Sequence, residues 1–429
     1  MTTPTYGITF RREADGPRPA QPSDLSVIGL ALPADDADAA FLPLNEPVAF
    51  DSGDGVALAK LGDSDLAHAV GLIDSQLADF QTSARIVAVR VTKGATDAET
   101  MTNIIGSRAG VTAAGRIGTG LAAFLRAGAQ IGVIPRLIGA PGYTSQTTEA
   151  NGQTEANPVC AALPEILSGL LAHAVVAGPA QGGAAALNWR ETLSSGRLIP
   201  TDEAVKVSTG VGARYDDGAA VVLGLGARVD FQHGGFPFHA FANQQVHGIV
   251  GLKNYYPFSL TDGATEAQEI LATKTGVFTR GQIGVETAAG EAGFLWIGAH
   301  NADTDPDWHF YNKTRARDWA HLALLKSIRL RLGVENVSPH SVQAVLNDSV
   351  EIGRVLVRNG GSLGFKVGFE ASMNSPADLR QGKFRIFFQT EEPPPIMQVD
   401  IDSRTYWRAL EVTLEKIVAQ AETLVPQFA

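Results

Sequence analysis

Uninterrupted apolar runs separated by helical segments constrain this chain more than any other feature of its sequence. Val27 to Leu32 is one such run; an acidic loop with Asp35, Asp36 and Asp38 leads from it to Pro47-Val48-Ala49-Phe50. A helix is expected around Asp65 to Phe80, followed by the strand Arg85-Ile86-Val87-Ala88-Val89-Arg90-Val91. A strand that is apolar at nearly every position must be covered on both faces, which is the condition of a parallel sheet held between helices. The pattern recurs with a helix near Gly118 to Ala127, a strand at Ile131 to Ile138, a polar loop from Tyr143 to Asn157, a helix at Pro158 to Leu171 and a strand at Ala174 to Ala177. The middle of the chain reads as an α/β domain.

Glycine becomes dense between Gly210 and Leu252, and the short runs Ala219 to Leu223 and Ala227 to Phe231 read there as β-like edges rather than helix. Beyond it, Gly293 to Leu332 begins with the apolar strand Phe294 to Ile297, passes a loop ending in Pro306 and Asp307, and continues into a long basic helix. Ser338 and Pro339 form a helix start, with a capping oxygen and a proline at the first position, and Asn359-Gly360-Gly361 ends that helix. Leu363, Phe365, Val367 and Phe369 then alternate with polar or small residues, and Phe384, Ile386 and Phe388 repeat the period of a strand. Pro393-Pro394-Pro395 breaks the pattern before Met397, Val399 and Ile401, and Arg404 to Leu424 reads as an amphipathic helix. This third is α+β. A length of 429 residues fits two or three such domains.

Charged residues make up only 18 % of the chain, against about 25 % in ordinary globular proteins, so self-association is the simplest cover for its surface. The net charge of −11 argues against general nucleic-acid binding, which needs a basic footprint. Cys160 is the one cysteine, so no intrachain disulfide can form and a reducing compartment is expected. The opening MTTPTYGITFRREADG has no apolar run behind its charges and does not read as a signal peptide. The most apolar stretch, Ile166 to Ala180, is broken by His173 and Pro179 and is shorter than the roughly 20 residues a membrane span needs, so a soluble protein is expected.

Tyr6, Ile8 and Phe10 alternate with Gly7, Thr9 and Arg11 as a strand with one buried face, and Gly16-Pro17-Arg18-Pro19-Ala20-Gln21-Pro22 follows as a stiff, extended linker. A strand on such a tether either closes a sheet of its own domain or adds to the sheet edge of another subunit. The basic helix carries Lys313, Arg315, Arg317, Lys326, Arg329 and Arg331 against one acid, Asp318. These fall on two edges flanking an apolar body, either as a solvated rim over the core or as a complement to an acidic partner.

No motif for chemistry completes itself. Gly178-Pro179-Ala180-Gln181-Gly182-Gly183 follows a strand but lacks the Gly-Lys-Ser/Thr ending of a phosphate loop, and Gly224-Leu225-Gly226 lacks the third glycine of a dinucleotide fingerprint. Gly115 to Gly120 has no preceding strand. Asp303, Asp305 and Asp307 have the spacing that opens a calcium loop, but Trp308 stands where glycine is needed and Thr314 where a bidentate Glu is expected, so an Asx-type loop is the better reading. His233, His239 and His247 lack helical metal-ligand spacing, and Cys160 suits a small core residue. No Gly-x-Ser-x-Gly elbow is present. No cofactor or metal is expected, and an enzyme is disfavoured; the alternative of a different class is an α/β cofactor-binding enzyme using the Gly178 loop.

With these residues in view, the chain resembles the tail sheath proteins of contractile-tailed bacteriophages and R-type tailocins over nearly its whole length. The resemblance is carried by Tyr6-Gly7-Ile8-Thr9-Phe10 with Val27-Ile28-Gly29-Leu30, by Pro43-Leu44-Asn45-Glu46-Pro47-Val48, and by Gly132-Val133-Ile134-Pro135-Arg136 with Ala140-Pro141-Gly142-Tyr143. Its most specific part is Leu295-Trp296-Ile297-Gly298-Ala299, Asp305-Pro306-Asp307-Trp308-His309-Phe310 and the helix through Arg315 and Arg317, with Pro376-Ala377-Asp378-Leu379-Arg380-Gln381-Gly382-Lys383 beyond.

The resemblance implies a structural subunit that polymerises as stacked hexameric rings around a tail tube and contracts, without nucleotide hydrolysis, to drive the tube through the target cell envelope. It implies residues 1–22 as an N-terminal arm, 23–290 as an outer α/β domain, 291–402 as an inner, tube-facing α+β domain and 403–429 as a C-terminal helix and arm. Strand exchange between subunits is then expected at Tyr6, Ile8, Phe10, Phe365, Val367, Phe384, Ile386, Phe388 and Val399, with Met397 to Ile401 or Val425 to Ala429 as the C-terminal arm strand. Partners implied are further copies of the chain, the tail tube protein, and baseplate and terminator proteins, with no nucleic acid and no membrane insertion. The expected location is the virion tail, after assembly in the host cytoplasm. A tailocin or other contractile injection system has the same signature.

Overall fold

A computed structural model describes residues 24–150, 153–209 and 212–424. Tyr6, Ile8, Phe10 and the segment Val425 to Ala429 lie outside the described residues. The chain divides into a unit Met1–Pro395 and a unit Ile396–Ala429.

The first half of the larger unit is wound as its apolar periods require. β1 (Ile28–Pro33) is buried at every position, β2 (Pro47–Asp51) pairs antiparallel with β3 (Arg85–Val91), and β1 lies parallel to β3. Between them α1 (Asp65–Ser75) starts at Ser64, whose hydroxyl accepts the Ala67 amide; α2 (Asp97–Ile105) starts in the same way at Thr96, which accepts the Glu99 amide. α3 (Phe124–Ile131), preceded by a 3-10 turn, delivers β4 (Leu137–Gly139) to the other side of β1. The strand expected over Ile131 to Ile138 is therefore confined to Leu137–Gly139, because α3 runs to Ile131 and Gly132 turns the chain in the left-handed region before residues 133–136, which carry no regular structure. α4 (Pro158–Leu170) is capped by Asn157, which accepts the Val159 and Cys160 amides, and β5 (His173–Ala177), α5 (Gly183–Glu191) and β6 (Leu198–Asp202) extend the parallel run.

β7 (Ala204–Ser208) and β8 (Ala213–Asp217) pair antiparallel and lead into α6 (Ala219–Gln232). This helix corrects the strand-like reading of Ala219 to Leu223 and Ala227 to Phe231. It is buried along almost its whole length, so no polar face marks a helical period, and a short all-apolar run does not separate helix from buried strand. Its glycines serve packing: a Cβ on Gly224 would lie 2.9 Å from the Ile73 carbonyl of α1, and one on Gly226 would meet the Phe241 ring. β9 (Gln244–Val246), β10 (Gly251–Leu252), α7 (Glu266–Ala272), β11 (Gly276–Arg280) and β12 (Phe294–Ile297) follow; β10 joins β7.

Among the described residues nine strands form one sheet in the order β9-β12-β11-β6-β5-β4-β1-β3-β2. The expected parallel sheet is thus mixed: β2, β12 and β9 run antiparallel to their neighbours at the two edges. β12 lies inside this sheet, with Trp296 fully buried, its indole donating to Thr201 Oγ1 at 2.9 Å and its ring filling the space that Gly276 and Gly298 leave free. The boundary expected at 290/291 therefore does not separate the Phe294 to Ile297 strand from the α/β sheet, and Trp296 belongs to the main core rather than to a C-terminal one.

α8 (Tyr311–Ile328) packs against α9 (Pro339–Arg358), which opens on a Ser338/Ser341 capping box. Ala316, Trp319, Ala320, Ile352 and Leu356 form a second core with Phe238 and Leu25. β13 (Phe365–Gly368) and β14 (Phe387–Thr390) pair antiparallel, Val367 opposite Phe388 and Phe365 opposite Thr390, and Phe365 lies on Gly353 of α9. Phe384 and Ile386, expected in the second strand, precede it; Asn374 Oδ1 accepts the Arg385 amide there instead. In the unit Ile396–Ala429, residues 396–406 carry no regular structure and α10 (Trp407–Leu424) follows.

Candidate assembly interface

α8 was expected to present a basic surface, and its side chains divide sharply. Arg315 is 1 % exposed: its guanidinium grips Asp230 of α6 with two hydrogen bonds, one of 3.0 Å, donates to the Leu25 carbonyl at 3.4 Å, and lies over the Phe241 ring. Arg317 donates to both carboxylate oxygens of buried Glu392, at 2.7 and 2.8 Å, and to the Thr390 carbonyl of β14 at 3.0 Å. Lys313 is mostly covered, near Glu391 and the Trp308 ring. Arg331 donates to Asp348 and Glu335, both at 2.9 Å. Arg315 and Arg317 are therefore corrections to the expected surface. Each neutralises a buried carboxylate and fastens another element to α8, because an isolated charge could not stay in that interior. Their partners stand 85 and 75 residues away in sequence, beyond anything local spacing reveals.

The two other basic residues, Lys326 and Arg329, stand at the C-terminal end of α8. Arg329 is exposed at the helix C-cap, and burial with Arg329 and Arg136 close by holds the Lys326 ammonium below its usual value. Exposed Leu325, Leu330, Leu332 and Val334 stand beside them.

Of the residues expected to exchange strands, Phe365, Val367 and Phe388 lie in β13 and β14, Phe384 and Ile386 lie outside them, and Val399 lies in the smaller unit. Among the described residues β13 and β14 pair only with each other, so each leaves one edge of N–H and C=O groups open. In the smaller unit Val399 is 70 % exposed, Ile396 86 % and Ile401 84 %. All the side chains described in 396–421 are exposed, including Trp407 and Leu410 of α10. An uncovered apolar segment of this kind is expected to meet a partner.

The sites weighed for chemistry are otherwise occupied. In the Gly178 to Gly183 loop the Ala180 amide donates to Asp202 Oδ1 at 2.9 Å, the Gly182 amide to Tyr256 Oη at 3.1 Å and the Gly183 amide to Glu266 Oε1 at 3.4 Å. Amides committed to these side-chain acceptors do not cradle a phosphate. Cys160 is buried, and burial pushes its thiol up, away from nucleophilic character. Asp303, Asp305 and Asp307 form a staircase of Asx turns in which the Asp305 and Asp307 amides donate to Asp303 and Asp305. His233 and His239 stack with ring centroids 3.6 Å apart, and among the described residues no group of three His, Cys, Asp or Glu is arranged to hold a metal. Among the described residues no helix is long and apolar enough to cross a membrane.

No protein-family model matches the chain. It is 26 % identical to a prophage major tail sheath protein of Pseudomonas aeruginosa strain UCBPP-PA14, covering 77 % of this chain and 81 % of that one. It is 24 % identical to the tail sheath protein of Escherichia phage P2 over 93 % and 95 % of the two chains, and 24 % identical to the major tail sheath protein of Serratia phage KSP20 over 91 % and 92 %. These relatives are sheath proteins, not enzymes. Its fold is similar to a chain of the anti-feeding prophage baseplate, with a TM-score of 0.62 and 12 % identity over 94 % of this chain and 99 % of that one. It is equally similar to a chain of the sheath complex of an extracellular contractile injection system in its contracted state, with a TM-score of 0.62 and 13 % identity over 94 % and 99 %. The resemblance to contractile-tail sheath proteins read in the sequence thus holds over most of the chain.

Proposed function

We propose that this chain is a subunit of a contractile tail sheath. Copies assemble as stacked hexameric rings around a tail tube and contract to drive the tube through a target cell envelope. The observation that carries the reading is the uncovered apolar segment 396–421, in a chain whose relatives are tail sheath proteins. In this reading Tyr6, Ile8 and Phe10 from one copy and Met397, Val399 and Ile401 from another add to the open edges of β13 and β14, beside Phe365, Val367 and Phe388. Each added backbone hydrogen bond contributes about 0.5–1.5 kcal/mol net, so several per arm in every subunit make a durable mesh. The work of contraction is a small difference between two packings, summed over many copies. Lys326 and Arg329 face the tube or a neighbouring subunit, the baseplate and terminator bound the polymer, and the assembled sheath is part of the virion tail.

The likeness to a sheath complex of an extracellular contractile injection system supports a second reading with the same mechanics, a sheath outside a phage particle. The test of the assembly is direct. Electron microscopy of the purified protein should show hollow ribbed cylinders, and a chain lacking Met1 to Pro22 should remain folded and fail to polymerise. Normal cylinders from the shortened chain would reject strand exchange through that arm.

A further inference from the structure

The two segments proposed as arms join the larger unit at opposite ends of the sequence, and one short stretch of α8 holds both points of attachment. The N-terminal segment enters at Leu25, just before β1. Leu25 is 2 % exposed, packed in the second core with Ala316, Trp319 and Ala320 of α8, and its carbonyl accepts from Arg315 at 3.4 Å. The C-terminal segment leaves through Glu391, Glu392 and Pro393, directly after β14. Arg317 holds buried Glu392 by two hydrogen bonds and the Thr390 carbonyl by a third. Lys313 lies 3.9 Å from Glu391, and Asn312 Nδ2 donates to the Pro393 carbonyl at 3.1 Å.

All these side chains of α8 lie within residues 312–320, about two and a half turns of one helix. Asn312 and Arg315 share one face and Lys313 and Arg317 the next, by their spacing of three and four residues. Each anchor stands between an arm and the first strand that the arm would otherwise pull on. Tension at Leu25 meets α8 before β1, and tension at Pro393 meets it before β14. A buried ion pair resists opening, because separation leaves charges in the interior without a partner. Pro393-Pro394-Pro395 is a stiff spacer that passes a pull on rather than absorbing it.

We propose that residues 312–320 of α8 form a clasp that joins the roots of both arms and passes tension from one to the other, sparing the nine-stranded sheet. The clasp rests on the sheath reading only for the source of that tension, neighbouring copies that pull on the arms during contraction.

In optical tweezers, the full-length chain is pulled by handles attached at its two ends. Opening of the clasp is expected as a first event that precedes unfolding of the sheet. In Arg317→Gln/Glu392→Gln, which removes both charges and strands neither, the force of that event should fall to about half or less. In the control Arg331→Gln/Asp348→Asn, which severs a link from the end of the same helix to α9, it should match the wild type. An unchanged force in the first variant, an equal fall in the control, or a sheet that opens first in the wild type overturns the clasp. Should the first variant not fold, Asn312→Ala, which removes one donor from the C-terminal root, takes its place; its force should fall by less, and no fall overturns the clasp as well. Single chains carry this test, so a failed clasp leaves cylinder formation, the test of the sheath reading, untouched, and a chain that forms no cylinders can still show the clasp.

Discussion

At the scale of single residues, the guanidinium of Arg315 has the most consequence. It is the partner of Asp230 and also reaches the Leu25 carbonyl, where the chain enters the larger unit's second core. Arg315→Ala strands a carboxylate in the interior and should lower stability by about 3–5 kcal/mol, read as a fall in the urea midpoint. Adding Asp230→Ala to that variant should recover part of the loss, and a double variant as unstable as the sum of the singles would show that the pair is not coupled. His173 makes a second, pH-dependent prediction. It is buried beside Thr314 and Asp318, and burial brings its pKa down to about 3, well below the ordinary 6.5. Below pH 6.5 the unfolded chain takes up a proton that the folded chain refuses, so stability falls with acid by up to about 1.4 kcal/mol per pH unit. Asp217, pushed up to about 6 by burial, works the other way in the same window, because its folded form accepts a proton before the unfolded one does. Comparison with His173→Asn isolates the histidine: the stability of wild type minus variant should shrink from pH 7 to pH 4.5, and a constant gap would contradict a neutral buried imidazole.

At the scale of elements, the contact of α1 with α6 depends on which glycine faces the neighbour. A Cβ on Gly71 of α1 meets nothing within 4 Å, whereas one on Gly224 of α6 meets Ile73 backbone at 2.9 Å and Gln76 at 2.7 Å. Gly71→Ala should therefore raise stability by about 0.5–1 kcal/mol through reduced backbone entropy in the unfolded chain. Gly224→Ala should lower it by about 1–3 kcal/mol by forcing the helices apart. Thermal melts of the two variants check the pair, and equal shifts would mean that helix propensity outweighs the close approach. Elements bounded by caps were legible in advance: Ser338-Pro339 opens α9 and Pro158 opens α4 where expected. α6 was not, since its burial removes the alternation that separates helix from strand.

At the scale of the whole molecule, a chain with net charge −11 turns part of its basic helix inward. Of the six basic residues in and after α8, Arg315, Arg317 and Arg331 hold carboxylates within the larger unit and Lys313 lies near Glu391, while Lys326 and the exposed Arg329 stand at the C-terminal end of α8 as its basic edge. In the proposed sheath, charge reversal at Lys326 and Arg329 should weaken sedimentation with a tail tube at low salt, by several-fold or more, and the difference should fade as salt screens it. Reversal at Arg315 should instead unfold the chain. Unchanged tube binding by the Lys326 and Arg329 variant would move that edge to another surface.

The sequence by itself determined the α/β class, the caps and ends of its longest helices, the absence of a complete catalytic motif and the family resemblance, because each of these is written in local period or in short contiguous motifs. Tertiary structure decided the rest. It drew β12 into the large sheet, made α6 a helix, and turned Arg315 and Arg317 inward, because burial and ion pairing depend on residues such as Asp230 and Glu392 that meet α8 only after the chain has folded.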